Sequence, residues 1–574
     1  MKTLIKYLKP YYFRMLCGLI IKVTGTVVEL FIPYILSHIL ENVIKNRSVA
    51  DIIYWGLLML ICAAVACICN IIANRMAASM SRDYAQQIRH RLFVKTLHLS
   101  AKQTDIFTIA SLESRITNDT YNIHHFVGMM QRMGVRAPIM LIGGVTITMF
   151  MDSYLSMVML ISMPVLFLCV YLVSRNGIPL YAKVQSAVDS MVRVVREDTQ
   201  GIRVIKALSK DKYEHTRYDK VNKALVKKEK TAGIVMGSVH PIMNLFMNMG
   251  IVAVIALSVS RVTDGLSSPE TVIAFMQYFT QISMSMMVMS RMFTMASKCM
   301  ASANRIEEVL LCEDTLVECD KSAYPDKING NFIEFSQVSF SYNGKKNDLT
   351  DISFSIKNGE SLGIIGATGS GKSTIVKLLL RFYDVDNGNI YINGENIRTI
   401  DREKLYGYFG TVMQNDFLYN GTIMENIRFG RDISDNDIYN SAKIAQADGF
   451  IRQFNDGYNR ILSQKGTNVS GGQKQRILIA RALAQNPAIL VLDDSSSALD
   501  YKTEAALRNA LRENLKSTVT VNVAQRVSAV KDCDLIIVLD EGKIIGMGTH
   551  SQLLENCKEY REINDSQMGG AFVE

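Results

Sequence analysis

The chain has 574 residues, and 48% of them are apolar. A chain of this length cannot fold around one hydrophobic core, so it indicates several domain-sized units. The formal net charge of +9 does not predict a nucleic-acid partner, because the basic residues crowd into loops between long apolar stretches. The ten cysteines show no metal-ligand spacing and are interpreted as unpaired, reduced thiols.

Residues 1–311 are predicted to form a helical transmembrane domain. Residues 1–10 place Leu and Ile against Lys, which is typical of a short amphipathic helix on the membrane surface, and no cleavable signal peptide is predicted. Six apolar segments follow, each close to the roughly 20 residues that cross a bilayer. They are placed at about 15–36, 52–72, 137–151 with its flanks, 154–173, 242–259 and 271–290.

Basic residues set the predicted orientation of these segments. The loop at 73–136 carries nine Lys and Arg residues and the loop at 174–240 carries fourteen, whereas the other three loops hold two, none and one. Cytoplasmic loops are enriched in Lys and Arg. The N-terminus and both long loops, whose sequences look helical, are therefore predicted to lie in the cytoplasm.

Two features of the predicted spans leave alternatives open. Glu29 could attract a cationic substrate, or it could belong to an internal ion pair or lie near the outer interface. The sixth segment is rich in methionine, which suits either a pocket for varied apolar ligands or ordinary packing.

The character of the sequence changes near residue 311. Residues 312–330 are polar and are predicted to be a linker, and from 331 to 574 short strands and helices alternate, as in a mostly parallel α/β domain. Residues 366–373 read GATGSGKS, between a strand-like and a helix-like run. This spacing is that of the phosphate-binding Walker A loop, in which Lys372 reaches the β- and γ-phosphates and Ser373 ligates Mg²⁺. The residues assigned to ATP in this segment are Gly366, Ala367, Thr368, Gly369, Ser370, Gly371, Lys372, Ser373 and Thr374.

Two further patterns accompany this loop. The apolar run 488–492 predicts a buried strand that ends at Asp493, where a carboxylate would serve Mg²⁺. Between them, a Ser-Gly-Gly turn at 470–472 opens a helical run and forms another backbone anion site. Two phosphate-binding turns in one domain would be redundant if both served the same nucleotide.

The order of these motifs resembles that of the ABC transporter family, and the resemblance covers nearly the whole chain. It is similar in particular to type IV exporter half-transporters, which have six spans followed by one ATPase domain. The resemblance implies that two ATPase domains pack head to tail, with each ATP between the Walker A loop of one and the signature turn of the other. It implies ATP and Mg²⁺ as ligands, and a multi-pass protein of the cell membrane with its nucleotide-binding domain in the cytoplasm.

Individual residues are assigned through this resemblance. Tyr342 matches the aromatic residue that stacks on adenine, Gln414 matches the glutamine that contacts Mg²⁺, and Ser497–Asp500 matches the D-loop that crosses between subunits. Residues 111–119 and 201–207 resemble segments that adjoin the coupling helices. The signature, which would contact the partner's ATP, corresponds to Ser470, Gly471, Gly472 and Gln473.

Two positions depart from the family pattern. Asp494 stands where the family usually has a glutamate that polarises the attacking water, and Gln525 stands where it usually has a histidine that contacts the γ-phosphate. A displacement of about 1 Å at a reacting centre can cost on the order of 10²-fold in rate, and Asp is one methylene shorter than Glu. Gln cannot carry the positive charge of His. The chain's own Walker A site is therefore predicted to bind ATP with weak turnover.

These features together predict one subunit of a heterodimeric exporter. Its partner would be a second half-transporter with Glu and His at the matching places, and this chain's signature would complete the partner's hydrolytic site. The predicted cargo is an amphipathic, drug-like small molecule taken from the cytoplasm or inner leaflet, and membrane lipids surround the spans. The alternatives are a peptide or lipid exporter of the same architecture and, from another class, a nucleotide-gated channel or regulatory subunit without substrate flux. Six spans disfavour a non-transporting ABC ATPase.

Overall fold

A computed structural model describes residues 2–44, 48–264, 267–313, 316, 319, 330–495 and 498–568. The chain forms two compact units, of which the first contains Met1–His98 and Thr108–Cys312 and the second contains Leu99–Phe107 and Glu313–Glu574. The stretch Leu99–Phe107 thus belongs to the second unit although it lies within the N-terminal half of the chain. The linker predicted at 312–330 falls largely outside the described residues.

Six helices of the described residues are long and apolar enough to cross a membrane, which confirms the predicted number. We name them spans 1 to 6, and they comprise Tyr12–His38, Val49–Leu97, Thr120–Met151, Ser153–Gln200, Val239–Thr263 and Pro269–Leu310. Span 2 alone has 49 residues, about 73 Å at the α-helical rise. This length confirms that the spanning helices continue far beyond their apolar centres.

The side chain of Asp152 fixes the start of span 4. The Asp152 carboxylate accepts hydrogen bonds from the backbone N–H groups of Tyr154 and Leu155 at 3.0 and 3.2 Å, so it caps span 4. It also accepts one from Nε of Arg261 at 3.1 Å, near the end of span 5. Spans 3 and 4 are therefore joined by a one-residue turn at the predicted position, and this turn is tied to span 5.

Shorter helices complete the N-terminal half of the chain. A helix occupies Lys2–Leu8, where the amphipathic surface helix is predicted. The others are a 3₁₀ turn at Lys9–Tyr11, π-helical turns at Ile39–Val43 and Arg115–Asp119, and α-helices at Ala101–Phe107, Ile109–Ser114, Ile202–Ala207 and Asp211–Gly237.

The second unit is an α/β domain, as predicted. Its strands are β1 Ile333–Phe340, β2 Leu349–Ile356, β3 Ser361–Gly366, β4 Asn387–Ile392, β5 Glu395–Asn396, β6 Phe409–Val412, β7 Gly421–Thr422, β8 Ile461–Leu462, β9 Ile489–Asp493, β10 Val519–Val523, β11 Leu535–Asp540 and β12 Lys543–Gly548. A six-stranded sheet has the order β12-β11-β3-β10-β9-β6, and a four-stranded antiparallel sheet has the order β2-β1-β4-β5. The short strands β7 and β8 pair with each other.

The helices of this unit cover the sheets. They are Lys372–Leu379, Arg402–Gly407, Ile423–Arg428, Asp435–Ile444, Asp448–Ile451, Gly471–Leu483, Tyr501–Asn514, Val527–Val530, His550–Asn556 and Lys558–Met568, with 3₁₀ turns at Gly457–Asn459 and Gln464–Gly466. All five residues of β9 are buried, as expected for a central parallel strand.

The order of the large sheet positions the functional loops. Strands β3, β10, β9 and β6 are neighbours and run parallel, so their carboxyl ends meet at one edge. Ligands of open α/β sheets bind at this edge. The loops that follow these four strands carry the Walker A loop, Gln525, Asp494 and Gln414 respectively.

Candidate nucleotide-binding site

The loop Gly366–Ser373 joins β3 to the helix Lys372–Leu379, as its spacing predicts. Gly371 has a φ of +102°, which favours glycine because a side chain would be strained there. A Cβ added to Gly366 would lie 2.2 Å from the carbonyl oxygen of Leu539 on β11. The glycines therefore let the backbone turn tightly between the sheet and the helix, which opens an anion-binding concavity at the helix N-terminus.

The Lys372 side chain is buried across this loop. Its Nζ donates hydrogen bonds to the carbonyl oxygens of Gly366 and Ala367 at 2.9 and 2.7 Å. Burial lowers the pKa of Lys372, and the nearby carboxylates of Asp493 and Asp494 oppose that shift. An ammonium group that has lost most of its water in this way gains from contact with a phosphate.

Asp493 and Ser373 supply the oxygen atoms that a Mg²⁺ ion would need. The Ser373 hydroxyl donates to Oδ1 of Asp493 with an Oγ–Oδ1 distance of 3.4 Å. Burial raises the pKa of Asp493, and the hydrogen bond from Ser373 opposes this. One carboxylate and one hydroxyl fit the way Mg²⁺ is held beside a nucleotide, where phosphate oxygens and water complete the octahedron. Among the described residues no cluster of three His, Cys, Asp or Glu side chains could hold a metal alone.

A single cavity of about 210 Å³ brings most of the predicted nucleotide-site residues together. Three predicted residues, Gly366, Ala367 and Ser370, are not among the described lining residues, whereas Asp348, Val523 and Ala524 line the cavity although no motif identified them. The predicted residues that line the cavity are Thr368, Gly369, Gly371, Lys372, Ser373, Thr374, Gln414, Asp493, Asp494 and Gln525.

The two departures from the family pattern face this same cavity. Asp494 directly follows β9, and its backbone N–H donates a hydrogen bond to the carbonyl oxygen of Val523 at 2.9 Å. Val523 ends β10, and Gln525 lies two residues after it. Asp494 has a φ of +51°, a left-handed conformation that Asp and Asn tolerate better than most residues. The cavity thus holds an acid and an amide where a longer acid and a histidine would complete the family pattern.

Tyr342 flanks the cavity and does not line it. Its hydroxyl lies 3.5 Å from Oγ1 of Thr374, a lining residue, and Nζ of Lys377 lies 5.3 Å from the centre of its ring. The Tyr342 ring also meets Phe340 and Tyr383 edge to face, with centroids 4.9 and 5.1 Å apart. The ring is therefore held in place from behind, as a stacking platform requires.

The signature turn lies elsewhere on the domain. Ser470 caps the helix Gly471–Leu483 through a reciprocal pair of hydrogen bonds with Gln473, of 3.3 and 3.0 Å. Ser470 and Gly471 are exposed, and none of the four signature residues lines the described part of the Walker A cavity. The structure thus keeps the two predicted phosphate-binding turns apart within one chain.

The D-loop residue Asp500 caps the next helix, Tyr501–Asn514. Its carboxylate accepts hydrogen bonds from the backbone N–H and the hydroxyl of Thr503 at 2.9 and 2.8 Å. A Cβ on Gly472 of the signature would lie 3.2 Å from the carbonyl oxygen of Ala498, so the two motifs are neighbours. Ser497 lies outside the described residues.

The helix Ala101–Phe107 is the cytoplasmic segment that belongs to the second unit, and no motif in its sequence predicts this. Asp105 accepts a hydrogen bond from the Tyr383 hydroxyl, and Nε2 of Gln103 donates to the carbonyl of Glu313. The predicted segment 111–119 instead lies in the first unit. There Asp119 accepts a hydrogen bond from the Ser302 hydroxyl at 2.8 Å. The helix Ala101–Phe107 precedes the predicted segment 111–119 in the chain, and its sequence has no distinctive pattern.

A second cavity, of about 700 Å³, lies in the membrane domain between spans 3 and 6. It is lined by Met133, Arg136, Ala137, Met140, Ile273, Met276, Gln277, Thr280, Gln281, Met284, Ser285 and Val288. Beside it, Nη2 of Arg136 lies 2.6 Å from Oε1 of Glu29 in span 1. Of the three possibilities for Glu29, the structure supports the internal ion pair.

Comparison with known proteins gives a consistent result over the whole chain. Residues 15–286 match the family model for the ABC transporter transmembrane region, and residues 349–497 match the ABC transporter model. The chain is 34% identical over 571 residues to "Uncharacterized ABC transporter ATP-binding protein YfiB" of Bacillus subtilis (strain 168), covering 99% of each chain. It is 32% identical over 574 residues to "Uncharacterized ABC transporter ATP-binding protein MT1311" of Mycobacterium tuberculosis (strain CDC 1551 / Oshkosh), covering 99% of this chain and 98% of that protein.

The fold is also that of a solved structure. A bacterial Atm1-family ABC exporter with ATP bound superposes with a TM-score of 0.81, over 98% of this chain and 99% of the other, at 21% identity. At that identity the likeness establishes the fold, which has six spans followed by one α/β ATPase domain.

Proposed function

This chain belongs to the ABC transporter family, and we propose that it is one half of a heterodimeric exporter of amphipathic, drug-like compounds. It is a multi-pass membrane protein with its ATPase domain in the cytoplasm. In the proposed cycle ATP binding closes the two ATPase domains, and hydrolysis at the partner's site resets them. The chain's own Walker A site holds ATP and Mg²⁺ with weak turnover.

The observation that carries this proposal is the composition of the Walker A cavity. Lys372, Ser373 and Asp493 are all present for binding ATP and Mg²⁺. Asp494 and Gln525 occupy the two positions at which hydrolysis would be promoted. A site that keeps the binding groups and changes both catalytic groups is suited to holding a nucleotide.

The signature turn supports the second half of the proposal. Ser470 and Gln473 hold the start of a 13-residue helix by reciprocal capping, while the turn itself is exposed. Backbone N–H groups at such a helix start bind anions. An exposed signature turn together with an altered catalytic pair in the same chain is the combination expected of a subunit that completes its partner's site.

The membrane cavity supports a small amphipathic cargo. Its volume of about 700 Å³ lies within the range of sites for drug-sized ligands. Four methionines from spans 3 and 6 line it, and thioether side chains adapt to varied apolar shapes. Glutamine and hydroxyl side chains add a few polar contacts to this apolar wall.

The experiment that tests the proposal compares the purified chain with a co-produced pair. The full-length chain is made alone and together with a half-transporter that carries Glu and His at the two matching positions, and ATP hydrolysis and drug-stimulated hydrolysis are measured in lipid nanodiscs. We expect brisk, drug-stimulated turnover from the pair only, with ATP binding retained by the chain alone. A homodimer of this chain with brisk, transport-coupled ATPase activity would contradict the heterodimer.

A further inference from the structure

We propose that the cavity between spans 3 and 6 selects amphipathic organic anions, with Arg136 as the residue that binds the anionic group. This inference rests on the proposed export function and specifies its substrate class. Of the twelve described residues that line the cavity, Arg136 is the one charged side chain. Met133, Met140, Met276 and Met284 provide an apolar surface for the remainder of the ligand.

Arg136, the last residue of the loop predicted at 73–136, lies inside span 3 of the structure. It precedes the end of span 3 at Met151 by fifteen residues, about 22 Å along a helix, whereas the hydrocarbon core is about 30 Å thick. A charge at that depth is costly unless it faces a cavity or a partner, and such residues mark substrate pathways. Arg136 has both a cavity and a partner.

The ion pair with Glu29 leaves the guanidinium turned toward the cavity. The Arg136 side chain is 47% exposed, whereas that of Glu29 is 25% exposed and its Oε2 is buried. Among the described residues, Arg136 donates one hydrogen bond, from Nη2 to Oε1 of Glu29, so its other N–H groups remain for a ligand. Glu29 does not line the cavity, so an incoming cation would meet the guanidinium before the carboxylate.

Neighbouring charges reinforce this preference. Lys22 lies two helical turns before Glu29 in span 1, and its Nζ is held by the neutral side chains of Asn70 and Asn74 at 2.7 and 3.2 Å. Arg132 lies one turn before Arg136 in span 3, and its Nε donates to the Gly128 carbonyl at 3.0 Å. These faces of spans 1 and 3 thus carry three cations and one carboxylate, and the resulting field attracts anions.

The hydroxyl groups of span 6 that line the cavity cannot replace Arg136 in this role. The hydroxyls of Thr280 and Ser285 donate to the carbonyl oxygens of Met276 and Gln281 at 2.9 Å each. They are therefore used within their own helix and offer no proton to an anion. A guanidinium supplies charge and directed N–H groups together, which suits carboxylate, sulfonate and phosphate groups equally.

The test uses two probes that share a label and a dodecyl chain and carry head groups of opposite charge. They are a dansyl-labelled dodecyl sulfonate and the matching dodecyl trimethylammonium, titrated into zwitterionic nanodiscs that contain the assembled transporter, with empty nanodiscs subtracted. We expect the wild type to prefer the sulfonate. Arg136→Gln weakens sulfonate binding by about tenfold or more and spares the ammonium.

Two further variants separate anion binding from other effects. Glu29→Gln breaks the same ion pair but keeps Arg136, so sulfonate binding stays at least as tight as in the wild type. Arg132→Gln removes a cation from the same helix that does not line the cavity, and it is expected to change sulfonate binding less than threefold, because the direct contact remains. Thermal unfolding of each variant in the nanodisc verifies that it is folded.

The possible outcomes separate the role of Arg136, the charge selectivity of the cavity and the proposed cargo. A preference for the ammonium, or equal losses in Arg132→Gln and Arg136→Gln, would overturn the role of Arg136. Equal binding of both probes, unaffected by Arg136→Gln, overturns the charge selectivity and leaves an exporter of amphipathic compounds intact. Binding of neither probe overturns the selectivity and the proposed cargo together.

Discussion

The hydroxyl group of Tyr383 donates a hydrogen bond to the carboxylate of Asp105, which lies in the helix Ala101–Phe107 between spans 2 and 3 of the chain. The same Tyr383 ring meets the ring of Tyr342 at 89° with centroids 5.1 Å apart. Burial raises the pKa of Tyr383, so the hydroxyl stays protonated and remains a donor at neutral pH. The side chains of Tyr383 and Asp105 thus connect Tyr342, the predicted adenine platform, to the helix Ala101–Phe107.

The first prediction concerns this connection. Tyr383→Phe keeps the ring that supports Tyr342 and removes the hydrogen bond to Asp105, so ATP affinity should change little. We expect the ratio of substrate transported to ATP hydrolysed to fall about fivefold, the size of a modest coupling energy. The matched control is Tyr458→Phe, which removes a similar Tyr–Asp bond of 2.7 Å to Asp448 within the same unit. Equal uncoupling by both variants would contradict a specific role for Tyr383.

The second prediction concerns the altered catalytic pair. With the partner's own catalytic glutamate replaced by Gln, the double variant Asp494→Glu plus Gln525→His should raise turnover at this chain's site by on the order of 10²-fold. The reason is that both groups already face the cavity of Lys372 and Asp493. Single-turnover ATP hydrolysis and nucleotide trapping measure the change.

The control for this experiment addresses the backbone at position 494. Asp494 has a φ of +51°, a conformation that few residues other than glycine, Asn and Asp adopt easily. Asp494→Gln therefore tests whether a longer side chain at this position disturbs the loop. Nucleotide trapping should be the same in this variant as in the wild type. If the double variant also turns over ATP no faster than the wild type, these two residues do not set the activity of the site.

The third prediction separates the two roles of Ser470. Ser470→Ala removes a helix cap, which costs about 1 kcal/mol of stability. Thr549→Ala removes the same kind of capping box, with Gln552, from the helix His550–Asn556 and should cost about as much. Only Ser470→Ala is expected to lower ATP turnover of the assembled pair, because only Ser470 belongs to the turn proposed to complete the partner's site. Equal turnover in both variants would exclude that role.

The sequence predicted the parts of this structure that depend on local pattern. The six spans follow from apolar length, and the loop Gly366–Ser373 follows from its glycine and lysine spacing between a strand-like and a helix-like run. The sequence could not place Asp348 in the cavity or Asp105 beside Tyr383, because both depend on contacts between residues far apart in the chain. Glu29 shows the same limit, since its partner Arg136 is 107 residues away and no periodic pattern joins them.

The last prediction follows from the burial of Asp493. Its raised pKa means that the folded chain binds this proton more tightly than the unfolded chain, so the ionised carboxylate destabilises the fold at neutral pH. Stability from this group therefore increases as the pH falls through the raised pKa, above the ordinary value of 3.8. Asp493→Asn should raise the melting temperature of the nucleotide-free chain at pH 7 and flatten that part of the pH profile.

The same substitution should remove the stabilisation by nucleotide. The wild type gains about 2.7 kcal/mol when MgATP is present at 100 times its Kd, and Asp493→Asn should lose most of this gain because Mg²⁺ loses a ligand.

Asp500 should show the opposite dependence of stability on pH, because hydrogen bonds from the backbone N–H and the hydroxyl of Thr503 lower its pKa. Its carboxylate stabilises the fold above pH 3.8, so Asp500→Ala should lower the melting temperature. Calorimetry of the full-length chain at several pH values measures the change in melting temperature for both variants. A lower melting temperature for nucleotide-free Asp493→Asn at pH 7 would show that the Asp493 carboxylate stabilises the fold.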